Sequence, residues 1–139
     1  MNSITIELPF PISANRYWRT GKNGVNYVSP EAEVYKYQIG LLCNVAGCEP
    51  MSGMVGIIGD LYMPSTNRDM GNTQKVLEDS LQEHLYYDDN QITQQFYFRY
   101  EAKSPKKENA KVIITVGQIE SVGDFHLITE HINSKLVRK

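Results

Sequence analysis

Apolar and polar residues alternate at the start of the chain, where Ile4, Ile6 and Leu8 share one face of a half-buried strand. Pro9 and Pro11 then end its pairing, because proline donates nothing to a ladder. The polar stretch 13–26 carries Asn15-Arg16-Tyr17-Trp18-Arg19, Gly21 and Gly24, and reads as a loop. Ser29-Pro30-Glu31 combines a capping side chain, a proline at the first helical position and an acid in the first turn. A helix opens there and should run to about Val45, before Gly47, with Tyr35, Ile39, Leu42 and Cys43 toward the core.

Met54 to Met63 predicts a second strand, weakened by Gly56 and Gly59. After the loop Pro64 to Arg68, a second helix is expected from about Met70 to Leu85. Val76, Leu77, Ser80, Leu81, His84 and Leu85 recur there at helical spacing. Tyr86 to Asn90 is an acidic turn. Phe96, Phe98 and Tyr100 alternate, as do Val112, Ile114 and Val116, and these two strands are expected to form an antiparallel hairpin. Their loop carries Pro105 with Lys103, Lys106 and Lys107. A last helix, about Asp124 to Val137, should bury Phe125, Ile128, Ile132 and Leu136. The order β-α-β-α-β-β-α predicts an α+β two-layer sandwich, a mixed β-sheet with helices packed on one face.

The 139 residues fit one domain that can bury a core without staples. No apolar run is long enough to span a bilayer and the N-terminus lacks a signal pattern, so a cytoplasmic protein is expected. Cys43 and Cys48 are the only cysteines and have no zinc-ligand partners, so they read as reduced thiols. The net charge of −2 argues against tight nonspecific binding to phosphate backbones, although one basic face can coexist with an acidic remainder.

The segment with candidate chemistry is Arg68-Asp69-Met70-Gly71-Asn72-Thr73-Gln74-Lys75, followed by Asp88-Asp89. Residue types alone leave two readings open. In one, Asp69 caps a helix, Asp88-Asp89-Asn90 is a common turn, and Lys75 pairs with Asp79 four residues on. In the other, the turn folds back and the carboxylates converge beside Lys75. Their repulsion then calls for a cation such as magnesium, which accepts one or two carboxylates plus water and phosphate. The histidines add little: His126 and His131 are five apart, a poor helical spacing for a shared metal, and His84 falls near an apolar face.

Three elements resemble the RusA family of Holliday junction resolvases. Ile6-Glu7-Leu8-Pro9-Phe10-Pro11 followed by Asn15-Arg16-Tyr17-Trp18-Arg19 resembles its opening strand, proline pair and Asn-Arg-Tyr loop. The run Asp69 to Lys75 resembles its Asp-x-Asp-Asn-x-x-Lys signature, and Tyr87-Asp88-Asp89-Asn90-Gln91-Ile92 its Asp-Asp-x-Gln turn. The resemblance spans roughly Ile4 to Val116. It implies a homodimeric, Mg2+-dependent endonuclease for four-way DNA junctions, with residues 1–117 as the nuclease domain. Residues 118–139 lie outside the resemblance and are expected to form a helical C-terminal extension, packed on that domain or at a dimer interface. By position, Asp69, Lys75 and Asp89 would be catalytic, and Asp69, Asp89 and Asp88 would hold metal. Asn15, Arg16, Arg19 and Arg68 would contact DNA, with Tyr17 and Trp18 near enough to stack on a base or else packed in the core.

Gly71 departs from the pattern, standing where the family has an acid. Three readings follow: magnesium held by Asp69, Asp89 and water; another acid, Asp60 or Glu78, substituting; or a protein that no longer cleaves. Two further functions stay open, a branched-DNA-binding module and an interaction protein of the same fold.

Overall fold

The computed structural model describes residues 2–65, 67–101 and 109–137. Its elements are β1 (Ser3–Pro9), α1 (Ala14–Tyr17), β2 (Trp18–Thr20), β3 (Asn26–Val28), α2 (Pro30–Val45) and β4 (Val55–Tyr62). Then come α3 (Met70–Leu81), β5 (Ile92–Tyr100), β6 (Lys111–Gln118) and α4 (His126–Val137). The loop bearing Lys103, Lys106 and Lys107 lies outside the described residues.

The main sheet has the order β1-β6-β4-β5, with β4 and β5 parallel and the other pairs antiparallel. The α+β class and the mixed sheet are as expected, but the hairpin of β5 with β6 does not form. β4 separates them. It is buried at every residue but the last, and a strand covered on both faces takes a central position. The 13–26 stretch is also more ordered than a loop, because α1 makes one turn and β2 pairs with β3 as a small ribbon.

Helix α2 begins where the capping signal stands, with Ser29 Oγ accepting from the Ala32 amide at 3.1 Å. It stops at Gly47, whose φ of +75° lets the Cys48 amide reach back to the Cys43 carbonyl at 2.9 Å. Leu42, expected inside, is exposed; Ala32, Tyr35, Ile39 and Cys43 carry the buried stripe. Helix α3 ends at Leu81 rather than Leu85, since Glu83 turns the chain with φ 75° and sends Leu85 and Tyr86 into the core.

Two cores result. On one face of the sheet, α2 and α3 pack over Ile6, Leu8, Ile57, Leu61, Val112 and Ile114. On the other, α4 packs Leu127 and Ile128 on Ile58, Ile119 and Phe96. The single helical layer expected from the element order therefore holds for α2 and α3 only. Of the expected α4 stripe Ile128 is buried, while Phe125, Ile132 and Leu136 are exposed. The cause is tertiary: Gly117 leaves room for Leu127, whose Cδ2 would stand 2.6 Å from a β-carbon there.

Candidate active site

Asp69 is the N-cap of α3. Its Oδ1 accepts from the amides of Gly71 at 2.8 Å and Asn72 at 3.4 Å, and Thr73 Oγ1 donates to its carbonyl at 2.8 Å. These bonds satisfy donors that a helix start leaves open. Beside it a cleft of about 140 Å³ is lined by Asn15, Asn67, Arg68 and Asn72.

Asp88 caps the 3-10 turn Asp89–Gln91, accepting from the Asn90 amide at 3.1 Å. Gln91 Oε1 accepts in turn from the Asp88 amide at 2.9 Å, and its Nε2 donates to the carbonyls of Met51 and Gly53 at 2.8 Å. The turn is thus fastened to the start of β4, and the Asp89 side chain enters a second cleft of about 240 Å³ with Trp18, Lys75, Glu78, Asp79 and Gln82.

Lys75 and Asp89 are therefore brought together, and Asp69 is not. Because β4 and β5 are parallel, α3 runs back along the sheet and delivers Asp89 to its far end, level with Glu78 and Asp79. Ten residues of helix separate Asp69 from Asp79, an axial distance of about 15 Å. Asp69, Asp88 and Asp89 form no shared cluster in one chain. Among the described residues no three His, Cys, Asp or Glu side chains can hold an ion. The substitutes for the missing acid divide: Asp60 is on the opposite sheet face, 3.1 Å from Lys135, whereas Glu78 lines the cleft.

The cleft is acidic apart from Lys75, which makes no ion pair among the described residues; Asp79, its expected partner, lies 3.8 Å from Lys36 and accepts from the Tyr17 hydroxyl. Burial pushes the Glu78 carboxyl above its ordinary range, against the lowering effect of the Tyr97 hydroxyl at 2.7 Å and Gln95 at 2.8 Å. The Asn90 amide holds Asp88 below the usual range, and the hydrogen bond with Asp88 lifts Asp89 above it. Gln95 and Tyr97 carry no signal of a site role in the sequence, because only the placement of β5 against α3 brings them to Glu78.

The expected DNA contacts differ in freedom. Asn15 and Arg19 are exposed, Arg16 pairs with Glu31, and Arg68 donates to the Pro11 carbonyl at 2.8 Å with its guanidinium 5.0 Å from the Phe10 ring centre. Tyr17 is buried, so of the two aromatics only Trp18 reaches a cleft.

Residues 9–116 match the family model of the endodeoxyribonuclease RusA, a span holding both clefts. The chain belongs to the RusA endodeoxyribonuclease family. A crossover junction endodeoxyribonuclease RusA of Escherichia coli O139:H28 is 28% identical over 121 residues, 86% of this chain and 98% of that protein. Its counterparts in E. coli K12 and E. coli O1:K1 are 34% identical over 95 residues, covering 66% of this chain and 78% of each. Helix α4 lies beyond the RusA match. Among the described residues no helix is long and apolar enough to cross a membrane.

Proposed function

We propose that this protein is an endonuclease that resolves four-way DNA junctions, acting as a homodimer with a divalent cation, magnesium being the natural choice. The observation that carries the reading is the family match across 9–116, joined to relatives named for crossover junctions. Within the second cleft the Lys75 ammonium, unpaired with any acid among the described residues, is suited to stabilise charge on a scissile phosphate or its leaving oxygen. Asn15 and Arg68 line the cleft at the start of α3, and with Arg16 and Arg19 they would hold the adjoining backbone.

Among the described residues of one copy, Asp69 and Asp89 line different clefts and so do not share a site. A homodimer removes that mismatch if Asp69 of one copy joins Asp89 of another. Paired cuts on a two-fold substrate favour the same assembly. Gly71 and the lack of a three-acid set among the described residues favour a second reading, a protein that binds branched DNA without cutting it.

A synthetic junction separates the two. The endonuclease nicks it symmetrically in magnesium and not in EDTA, and Asp89→Asn stops nicking while retaining the gel shift. Mixing Asp69→Asn with Asp89→Asn protein restores one intact site per heterodimer if the site spans two copies, and none if it lies within one. A junction shifted but never nicked would support the binding module, and no shift would remove both readings.

A further inference from the structure

The geometry points to Trp18 as a stacking platform for an unpaired nucleobase beside the Lys75–Asp89 cleft. The inference rests on the junction-nuclease reading and adds a subsite to it. Trp18 is half-buried at the junction of α1 and β2 and forms one wall of the cleft, with Lys75, Asp79 and Asp89 among its other lining residues.

Its placement is fixed from behind. The Tyr17 ring lies 4.6 Å away, centre to centre, at an interplanar angle of 69°, and is itself buried with its hydroxyl on Asp79. The Ser29 amide donates to the Tyr17 carbonyl at 2.8 Å, and Trp18 pairs with Val28 across the β2–β3 ribbon. An aromatic side chain held this way loses little freedom when something stacks on it.

The charge of the cleft selects the kind of group that can approach. Lys75 is the one cation lining the cleft, so it can take a phosphate at its own end, while the carboxylates Glu78, Asp79 and Asp89 disfavour a second phosphate against the Trp18 wall. A nucleobase is neutral and offers a π-face, and stacking on an aromatic side chain tolerates any base. Inside a duplex that face is covered by neighbouring bases. At the crossover of a branched junction it is open, so the Trp18 wall favours the branch over the arms.

Trp18 is the only tryptophan, so its emission reads this subsite directly in the unmodified protein. Titration in EDTA with a four-way junction should quench it, and a duplex of equal length should not. Trp18→Ala should weaken junction binding about tenfold, within the range that one base stack carries, and leave duplex binding unchanged; Trp18→Tyr should retain most of it. If Trp18→Ala does not fold, the wild-type titration decides alone. A junction that shifts the protein in a gel without changing the emission overturns the stacking role and leaves the nuclease reading intact. Absence of any junction shift overturns both.

Discussion

Asp60 and His131 meet across the boundary between the sheet and α4, with Asp60 Oδ1 3.3 Å from His131 Nε2. Lys135 Nζ stands 3.1 Å from the other oxygen and the Tyr100 hydroxyl donates to Oδ1 at 3.2 Å, so a nearly buried carboxylate is compensated from three sides. An acid so occupied fastens α4 to the sheet and is remote from the Lys75 cleft. Removing Lys135 leaves Asp60 buried with less compensation. A fully buried pair would lose about 3 to 5 kcal/mol. Lys135 is a third exposed, so Lys135→Met should destabilise by about 2 kcal/mol in urea unfolding, with junction nicking per folded molecule unchanged. Unaltered stability would show that the pair does not hold α4, and lost nicking would place α4 in the active assembly.

At Gly71 a β-carbon would meet only Asp69 Oδ1, at 3.3 Å, and the glycine has no positive φ. A side chain fits if the Asp69 carboxylate shifts by a few tenths of an ångström while keeping its cap. Gly71→Ala should stabilise α3 by about 0.5 to 1 kcal/mol through backbone entropy. Gly71→Asp should gain less without metal, since its carboxylate stands beside that of Asp69 and the repulsion offsets the favourable helix dipole. Only the aspartate restores the carboxylate of the family pattern, so nicking in magnesium should rise at least about tenfold over Gly71→Ala, a gain of about 1.4 kcal/mol in transition-state stabilisation. Equal rates for the two variants would mean that the missing acid does not limit cleavage.

Local chemistry was legible wherever a short segment decides it. Ser29-Pro30-Glu31 opens α2 and Asp69 opens α3, because a cap acts on amides two or three residues away. The meeting of Asp69 with Asp89 was not legible, since it depends on whether β5 returns parallel or antiparallel to β4. The parallel return puts Asp89 in the cleft with Lys75, Glu78 and Asp79 and leaves Asp69 about 15 Å along the helix from the Asp79 end. The buried face of α4 was hidden for a similar reason. Phe125, Ile132 and Leu136 have the better apolar spacing, but the hollow at Gly117 accepts Leu127, and Asp60 draws His131 and Lys135 inward.

Gly59 supports the cleft from the second layer of contacts. A β-carbon there would lie 2.6 Å from two ring carbons of Tyr97, whose hydroxyl donates to Glu78 at 2.7 Å. Neither β4 nor the ring can yield that distance freely, so Gly59→Ala should destabilise by about 2 to 3 kcal/mol through overpacking. Tyr97→Phe keeps the ring and removes only the hydroxyl, and should lose about 1 kcal/mol. Combining the two changes should recover none of the loss from Gly59→Ala, since the clash is with ring carbons. A double variant as stable as Tyr97→Phe alone would refute the steric account.

Asp124 gives α4 a pH-dependent hold. The Glu120 amide donates to its Oδ2 at 3.0 Å and His126 Nδ1 lies 2.7 Å from Oδ1; the first of these, then the second, draw the carboxyl below its usual range. A carboxyl depressed on folding adds stability above its unfolded value, about 3.9, and that contribution disappears as pH falls through the lower folded value. Asp124→Asn preserves shape and removes the charge. The urea midpoint of wild type should exceed that of Asp124→Asn at neutral pH, with the gap narrowing below about pH 4 and closing in stronger acid. A gap that persists unchanged to the acid end would show that shape rather than charge fastens the start of α4.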